Sequence, residues 1–266
     1  MEISKEFNNG KFGISTTCLN WLRNHVQGQL LQFGRLQFHL IMLSGAFRVY
    51  RRSVDGKYMI LAEPGMRFTP DGYHDGVGEK LSFDAWSSDW REKDGIVLAT
   101  EIGSEGRAHK KSVTFKLNEW ELIANKDSAV LNIHIPRGSR IQMSDWQNSI
   151  KQAFEYFEKQ SYLPKPVACV CRSWIFDPRL QEILPEKSGL VSLQKRLRLF
   201  PFVSPLGTRS GFYFVFGDDD IDLKVAARDT SLRRAMLDYV KNGGVFTGGG
   251  MIIFKDEIEQ RFSIDT

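Results

Sequence analysis

Cysteine is scarce: three in 266 residues, Cys18, Cys169 and Cys171, are too few and too unevenly placed for a disulfide framework. The last two lie too close along one stretch to bridge comfortably. A reducing, cytoplasmic setting is therefore the simpler expectation. Long hydrophobic runs are also missing, since apolar runs such as Leu40 to Leu43 fall far short of the ~20 residues of a membrane span. The opening Met1-Glu2-Ile3-Ser4-Lys5 has no apolar signal-peptide core, so no membrane partner is expected. Charge of one sign is in short supply: 36 Lys plus Arg against 32 Asp plus Glu leave +4. That surplus lacks the dense basic stripe of a nucleic-acid binder, and only it supports such a reading. No internal repeat is visible, and no Pro- or Ser-rich linker separates two halves.

What is present is a globular composition, 42% hydrophobic and 12% aromatic, enough for one large domain or two small ones. From Gln32 the residues alternate, with Leu36, Phe38, Leu40 and Met42 on one face and Arg35, Gln37 and His39 on the other, as in a half-buried strand. Phe47 to Arg52 and Tyr58 to Leu61 are further strands joined through Asp55-Gly56, a pair suited to a hairpin. A helix is expected around Phe83 to Trp90. Strands then recur at Gly95 to Thr100, Ser112 to Leu117, Glu119 to Ala124 and Ala129 to Ile135.

The second half changes character. Ser144 to Gln160 spaces Trp146, Ile150, Ala153, Phe154 and Phe157 along one helical face, with a capping box expected from Ser144 and Gln147. Val167 to Arg172 is a strand, and Asp177-Pro178 opens a helix. Val191 to Phe200 and Phe212 to Phe216 are expected strands. Asp229-Thr230 starts a last helix closed by Asn242-Gly243-Gly244, and Val245 to Phe254 returns as a strand. Many strands followed by alternating helix and strand argue for an α+β fold.

Five stretches carry a family resemblance: Gly34-Arg35-Leu36-Gln37-Phe38, Ala62-Glu63-Pro64-Gly65, His134-Ile135-Pro136, Cys171-Arg172-Ser173-Trp174-Ile175-Phe176-Asp177-Pro178, and Asp229-Thr230-Ser231-Leu232-Arg233-Arg234-Ala235. From Gly34 to the C-terminus the sequence resembles bacterial acyltransferase-domain proteins whose C-terminal part is GNAT-like. The resemblance implies a twisted mixed, mostly antiparallel sheet with helices packed on both sides. It divides the chain into an abbreviated N-terminal segment (1–33), a strand-rich part (34–128) and a cofactor-loop and C-terminal part (129–266) of the same GNAT-like domain. It also implies acyl-CoA or acetyl-CoA as co-substrate and direct attack by an amine acceptor, a small molecule or a peptide. A homo-oligomer is compatible with this reading.

In GNAT folds the loop between the fourth strand and the next helix presents backbone N–H groups to the CoA pyrophosphate. By that resemblance Ile133 and Ile135 would hold the pantetheine or thioester, and Arg137, Gly138, Ser139 and Arg140 the pyrophosphate. The family pattern Gln/Arg-x-x-Gly-x-Gly/Ala reads here Arg-Gly-Ser-Arg-Ile-Gln-Met, with one glycine, so Arg137 and Arg140 substitute side-chain charge for backbone donors.

Three residues are candidates for chemistry. A histidine ordinarily titrates near neutrality, so His134 suits a general base, the plainer alternative being a histidine that orients the loop. Asp177 is a reserve base, although N-capping alone explains it. Cys171 could act covalently, although small buried cysteines usually belong to the core. Cys169 and Cys171 with His134 lack a four-ligand metal pattern. Lys195 to Arg198 alternates like an exposed strand face, and Gly248-Gly249-Gly250, with no helix after it, reads as a hairpin or bulge. The leading expectation is an acyl-CoA-dependent N-acyltransferase; the alternative is a non-catalytic GNAT-like ligand- or protein-binding module without CoA turnover.

Overall fold

The alternation beginning near residue 32 forms the edge of the main sheet. In the computed structural model, which describes residues 22–44, 46–76, 83–136, 138, 141–204, 209–218 and 220–262, β1 (Leu30–Phe33) turns antiparallel into β2 (Leu36–Met42). Gly34 makes that turn at φ +55, and a Cβ there would lie 2.7 Å from Ser149 Oγ, so the turn and the close approach both favour glycine. β3 (Phe47–Arg52) and β4 (Tyr58–Ala62) form the expected Asp55-Gly56 hairpin, with Gly56 at φ +70. Short strands follow: β5 (Arg67–Phe68), β6 (Trp86–Ser87), β7 (Trp90–Lys93), β8 (Ile96–Ala99), β9 (Glu101–Ile102), β10 (Val113–Lys116) and β11 (Trp120–Ala124).

Beyond them come β12 (Ala129–His134), α1 (Met143–Lys159), β13 (Ala168–Ser173), α2 (Leu180–Ile183) and α3 (Gly189–Lys195). β14 (Arg198–Pro201), α4 (Phe212–Phe216), α5 (Ser231–Lys241), β15 (Gly249–Phe254) and α6 (Ile258–Phe262) complete the chain. The main sheet has the order β1-β2-β12-β13-β15-β14. Its pairs are antiparallel except β12 with β13, as a crossover through α1 requires.

Each face of this sheet buries a different partner. On one, Trp146, Ile150, Ala153, Phe154 and Phe157 of α1 pack with Leu131, Ile133, Cys169 and Cys171, beside Ile258 and Phe262 of α6. Each large apolar side chain so buried contributes about 1.5–3 kcal/mol. On the other, Val130, Val170 and Ile252 meet Phe47, Val49 and Ile60 of a second sheet, β11-β3-β4-β9. The α+β class and the mostly antiparallel sheet are thus as expected, with helices gathered on one face and at one end. At that end α2, α3, α4 and α5 enclose Leu180, Val191, Phe212, Met236 and Phe246.

Several local expectations yield to tertiary packing. Residues 83–90 hold a turn and strands rather than a helix, because Trp86 Nε1 donates to the Thr69 carbonyl at 2.8 Å and its ring stacks near Phe68. Residues 191–200 begin as α3, started by Ser188 Oγ accepting from Val191 N, and become strand only from Arg198. Residues 212–216 are helical, held between Gly211 and Gly217 in left-handed conformations. Lys195 to Arg198 is therefore no strand face: Arg198 pairs with the buried Glu257, and Arg196 reaches the Arg261 carbonyl. The cap of α1 lies two residues earlier than expected, with Asp145 accepting from Gln142 N at 2.8 Å, while Gln147 donates to Glu259.

Candidate active site

The parallel ladder between β12 and β13 pairs Val130 with Ala168, Leu131 with Cys169 and Asn132 with Val170, and ends there. Both strands continue. β12 stays on β2 as far as His134 opposite Gln37, and β13 stays on β15 as far as Ser173 opposite Gly249. The central sheet therefore splays open between residues 133–134 and 171–173.

The sequence beyond β13 accounts for the divergence. Ser173 leads into a 3-10 turn at Trp174–Phe176 that lies across β15, and a Cβ on Gly249 would fall 1.9 Å from the Phe176 carbonyl oxygen. Backbone cannot yield at that distance, so glycine here lets β13 lean onto β15 and away from β12. On the other lip, β12 runs into the loop that opens α1. Arg137, Ser139 and Arg140 lie outside the described residues; Gly138 is exposed, and a Cβ on it would sit 2.5 Å from Arg35 Nη2. The turn between β1 and β2 thus brings the Arg35 guanidinium against Gly138, with the turn anchored by Arg35 N donating to Ser149 Oγ at 3.1 Å.

Period-two alternation sorts the side chains around the splay. Ile133 is buried on the α1 side, where Ile135 also packs. Val130, Asn132 and His134 share the opposite face. Asn132 Nδ2 lies 2.9 Å from His134 Nε2, and His39 stands across from Asn132 on β2. Burial lowers the His134 pKa to about 4, with the neighbouring His39 acting in the same direction. An amide N–H directed at the ring nitrogen also suits a neutral imidazole. At neutral pH His134 is thus an uncharged ring with proton-accepting capacity.

Cys171 cannot pair with His134 as a nucleophile, because it faces the α1 side of the sheet. It is 2% exposed, and burial pushes its thiol up to about 12. Asp177 is 1% exposed and fully engaged. Thr247 N and Gly248 N donate to its Oδ2 at 2.8 and 2.9 Å, while Arg179 N and Nη1 donate to Oδ1 at 3.1 and 3.3 Å. It ties the start of α2 to the approach to β15, and solvent does not reach it. Among the described residues no group of three or more His, Cys, Asp or Glu could hold a metal, and no helix is long and apolar enough to cross a membrane.

Sequence reasoning passed over Asn132, His39 and Arg172. Each is a polar interruption in an apolar strand, which is the signal available. Arg172 is the first residue past the ladder on the His134 face of β13. Its Nη2 donates to the Ser44 carbonyl at 2.9 Å, and its guanidinium carbon lies 5.7 Å from the Phe202 ring centre.

A mixed sheet whose single parallel pair opens into a splay, followed by a loop and a core helix, defines the GNAT-type class of acyltransferase folds. Residues 30–252 match the model of the GNAT-like C-terminal domain, and the chain belongs to that family. Its fold is similar to that of an acyltransferase crystallised with decanoyl-CoA and teicoplanin (TM-score 0.56, 17% identity, 95% of this chain and 54% of that one). It is similar also to an acyltransferase mutant with octanoyl-CoA (TM-score 0.55, 16% identity, 95% and 53%). A third likeness is to an acyltransferase with CoA and 10C-teicoplanin (TM-score 0.54, 17% identity, 95% and 53%). The chain thus spans about half the length of the solved structures it matches. Among curated proteins none matches it.

Proposed function

We propose that this chain transfers an acyl group from acyl-CoA to a primary amine, with the β12–β13 splay as the cofactor cleft. The observation that carries the proposal is the end of the parallel ladder at Asn132 and Val170, which frees the β13-side edge of β12 from a strand partner beginning at Ile133. Backbone polar groups there need partners, and an extended amide-bearing arm such as pantetheine supplies them. Arg137, Gly138, Ser139 and Arg140, joined by Arg35, take the pyrophosphate by charge, which compensates for the single glycine. Ile133 and Ile135 hold the arm and the thioester. That structures of similar fold were solved with acyl-CoA supports the choice of ligand.

Bound acyl-CoA would supply an activated acyl carbon as a thioester. His134 accepts the proton released from the acceptor nitrogen as the amide bond forms, and returns it to the departing sulfur. Its depressed pKa keeps it unprotonated at working pH and makes its conjugate acid a ready donor. Asn132 serves both states: its N–H donates to the neutral ring, and rotation of the amide lets its oxygen accept from the protonated ring. Asp177 and Cys171 have no part in these steps; they hold the cleft walls. A ligand-binding module without turnover needs no proton acceptor at the mouth of the splay, so His134 favours the transferase.

The test is a melting curve with and without CoA and octanoyl-CoA. A ligand at a hundred times its Kd stabilises the fold by about 2.7 kcal/mol, and Arg35→Ala or Arg137→Ala should reduce the shift. Absence of any shift at millimolar concentration would refute the proposal.

A further inference from the structure

The lip of the cleft opposite His134 carries the charge of Arg172. Continuing the register of β12 and β13 past Asn132 and Val170 sets His134 level with Arg172 on one face of the sheet. Among the described residues Arg172 has no carboxylate partner. Its guanidinium is fixed by the Ser44 carbonyl and flanked by the Phe202 ring, and the residue is half-buried. Burial lowers its pKa, which means that the charge is partly stripped of water without a counter-ion. A guanidinium in that condition is costly unless an anion joins it, and its planar fork matches a carboxylate. Several other arginines of this half of the chain pair with carboxylates: Arg179 with Asp177, Arg198 and Arg261 with Glu257, Arg233 with Asp229.

We infer that Arg172 binds a carboxylate of the acceptor, so that the substrates are amines carrying a carboxylate a few bonds from the reactive nitrogen, as amino acids and peptides do. The inference rests on the transferase reading of the same cleft and adds the acceptor class to it. With the carboxylate on Arg172, the amine falls on the His134 side of the splay, between the two lips. Ser44 and Phe202 act as positioning residues that fix the guanidinium.

Two measurements test this. In the first, without CoA, melting shifts are recorded with alanine, glutamate and lysine and with the corresponding carboxamides, each at tens of millimolar. The acids should stabilise wild type more than the amides, and Arg172→Met, which keeps the stem against Phe202, should abolish the difference while retaining the shift given by CoA. In the second, CoA release from octanoyl-CoA is followed with the same pairs. A charged hydrogen-bonded pair should favour the acid in kcat/KM about tenfold or more, Arg172→Met should bring acid and amide together, and Arg172→Lys should restore part of the preference. Equal stabilisation by acid and amide in wild type would overturn the inference. So would a preference that survives Arg172→Met, or an Arg172→Met variant that slows all acceptors alike. Loss of the CoA shift in wild type would instead count against the transferase reading, because the carboxylate comparison is made without CoA.

Discussion

Acidification singles out His134. An imidazole whose folded pKa lies below its unfolded value takes its proton first in the unfolded chain. Its contribution to stability is therefore full above pH 6.5 and is lost as pH falls from 6.5 toward about 4. Each tenfold change in proton affinity is worth about 1.4 kcal/mol, so the depression sets a ceiling of about 3 kcal/mol on this loss. Because the ring is only half-buried, solvent screens part of it, and the expected loss is about 1–2 kcal/mol. Urea unfolding of wild type and of His134→Gln at points between pH 6.5 and 4 measures it. His74 is also lowered by burial but is common to both proteins, so it cancels in the difference, whereas the repulsion between His39 and His134 is part of what the difference measures. Wild type should lose about 1–2 kcal/mol more than the variant across the window. The acidic limb of its transfer rate should fall near pH 4 rather than 6.5. Parallel stability curves would refute the burial argument.

Other perturbations follow from the same geometry. Phe154→Ala empties a site 1% exposed against the main sheet and should cost about 3–5 kcal/mol in urea unfolding. Asp177→Ala leaves Arg179, 5% exposed, without its carboxylate partner and should cost about 3–5 kcal/mol. The fraction still folded should keep its CoA-induced melting shift, and a shift lost without unfolding would return Asp177 to the cofactor site. Cys171 should resist iodoacetamide in the native protein and react in urea, as peptide mass spectrometry will show, and Cys171→Ala should retain transfer. Native labelling of Cys171, or abolished transfer in that variant, would revive covalent catalysis.

Periodicity made the sheet and its main helix legible. β2 alternates with period two, β3, β4, β12 and β13 are short apolar-rich runs, and the α1 face from Trp146 to Phe157 follows the helical period, so each lies where the sequence puts it. The pattern misled where it was weakest. Phe212 to Phe216 is apolar throughout and carries no period; flanking left-handed glycines and contacts to Phe246 and α5 make it helical. Val191 to Leu197 fits either element in isolation, and the Ser188 cap decides it.

The candidate site was legible by half. His134 stood out as a polar residue on an apolar strand next to the expected loop. Its relation to Arg172 was hidden, because 38 positions of chain and the whole of α1 separate them and only sheet order makes them neighbours. Asp177 and Cys171 attracted chemistry through residue type, while packing assigns one to a buried polar knot and the other to the core under α1.

The cleft itself is tested most directly by hydrogen exchange with and without octanoyl-CoA. Protection confined to the peptides spanning 132–142 and 170–175 would place the ligand in the splay between β12 and β13. Unchanged exchange there at saturating ligand, or protection mapped to another part of the chain, would contradict it.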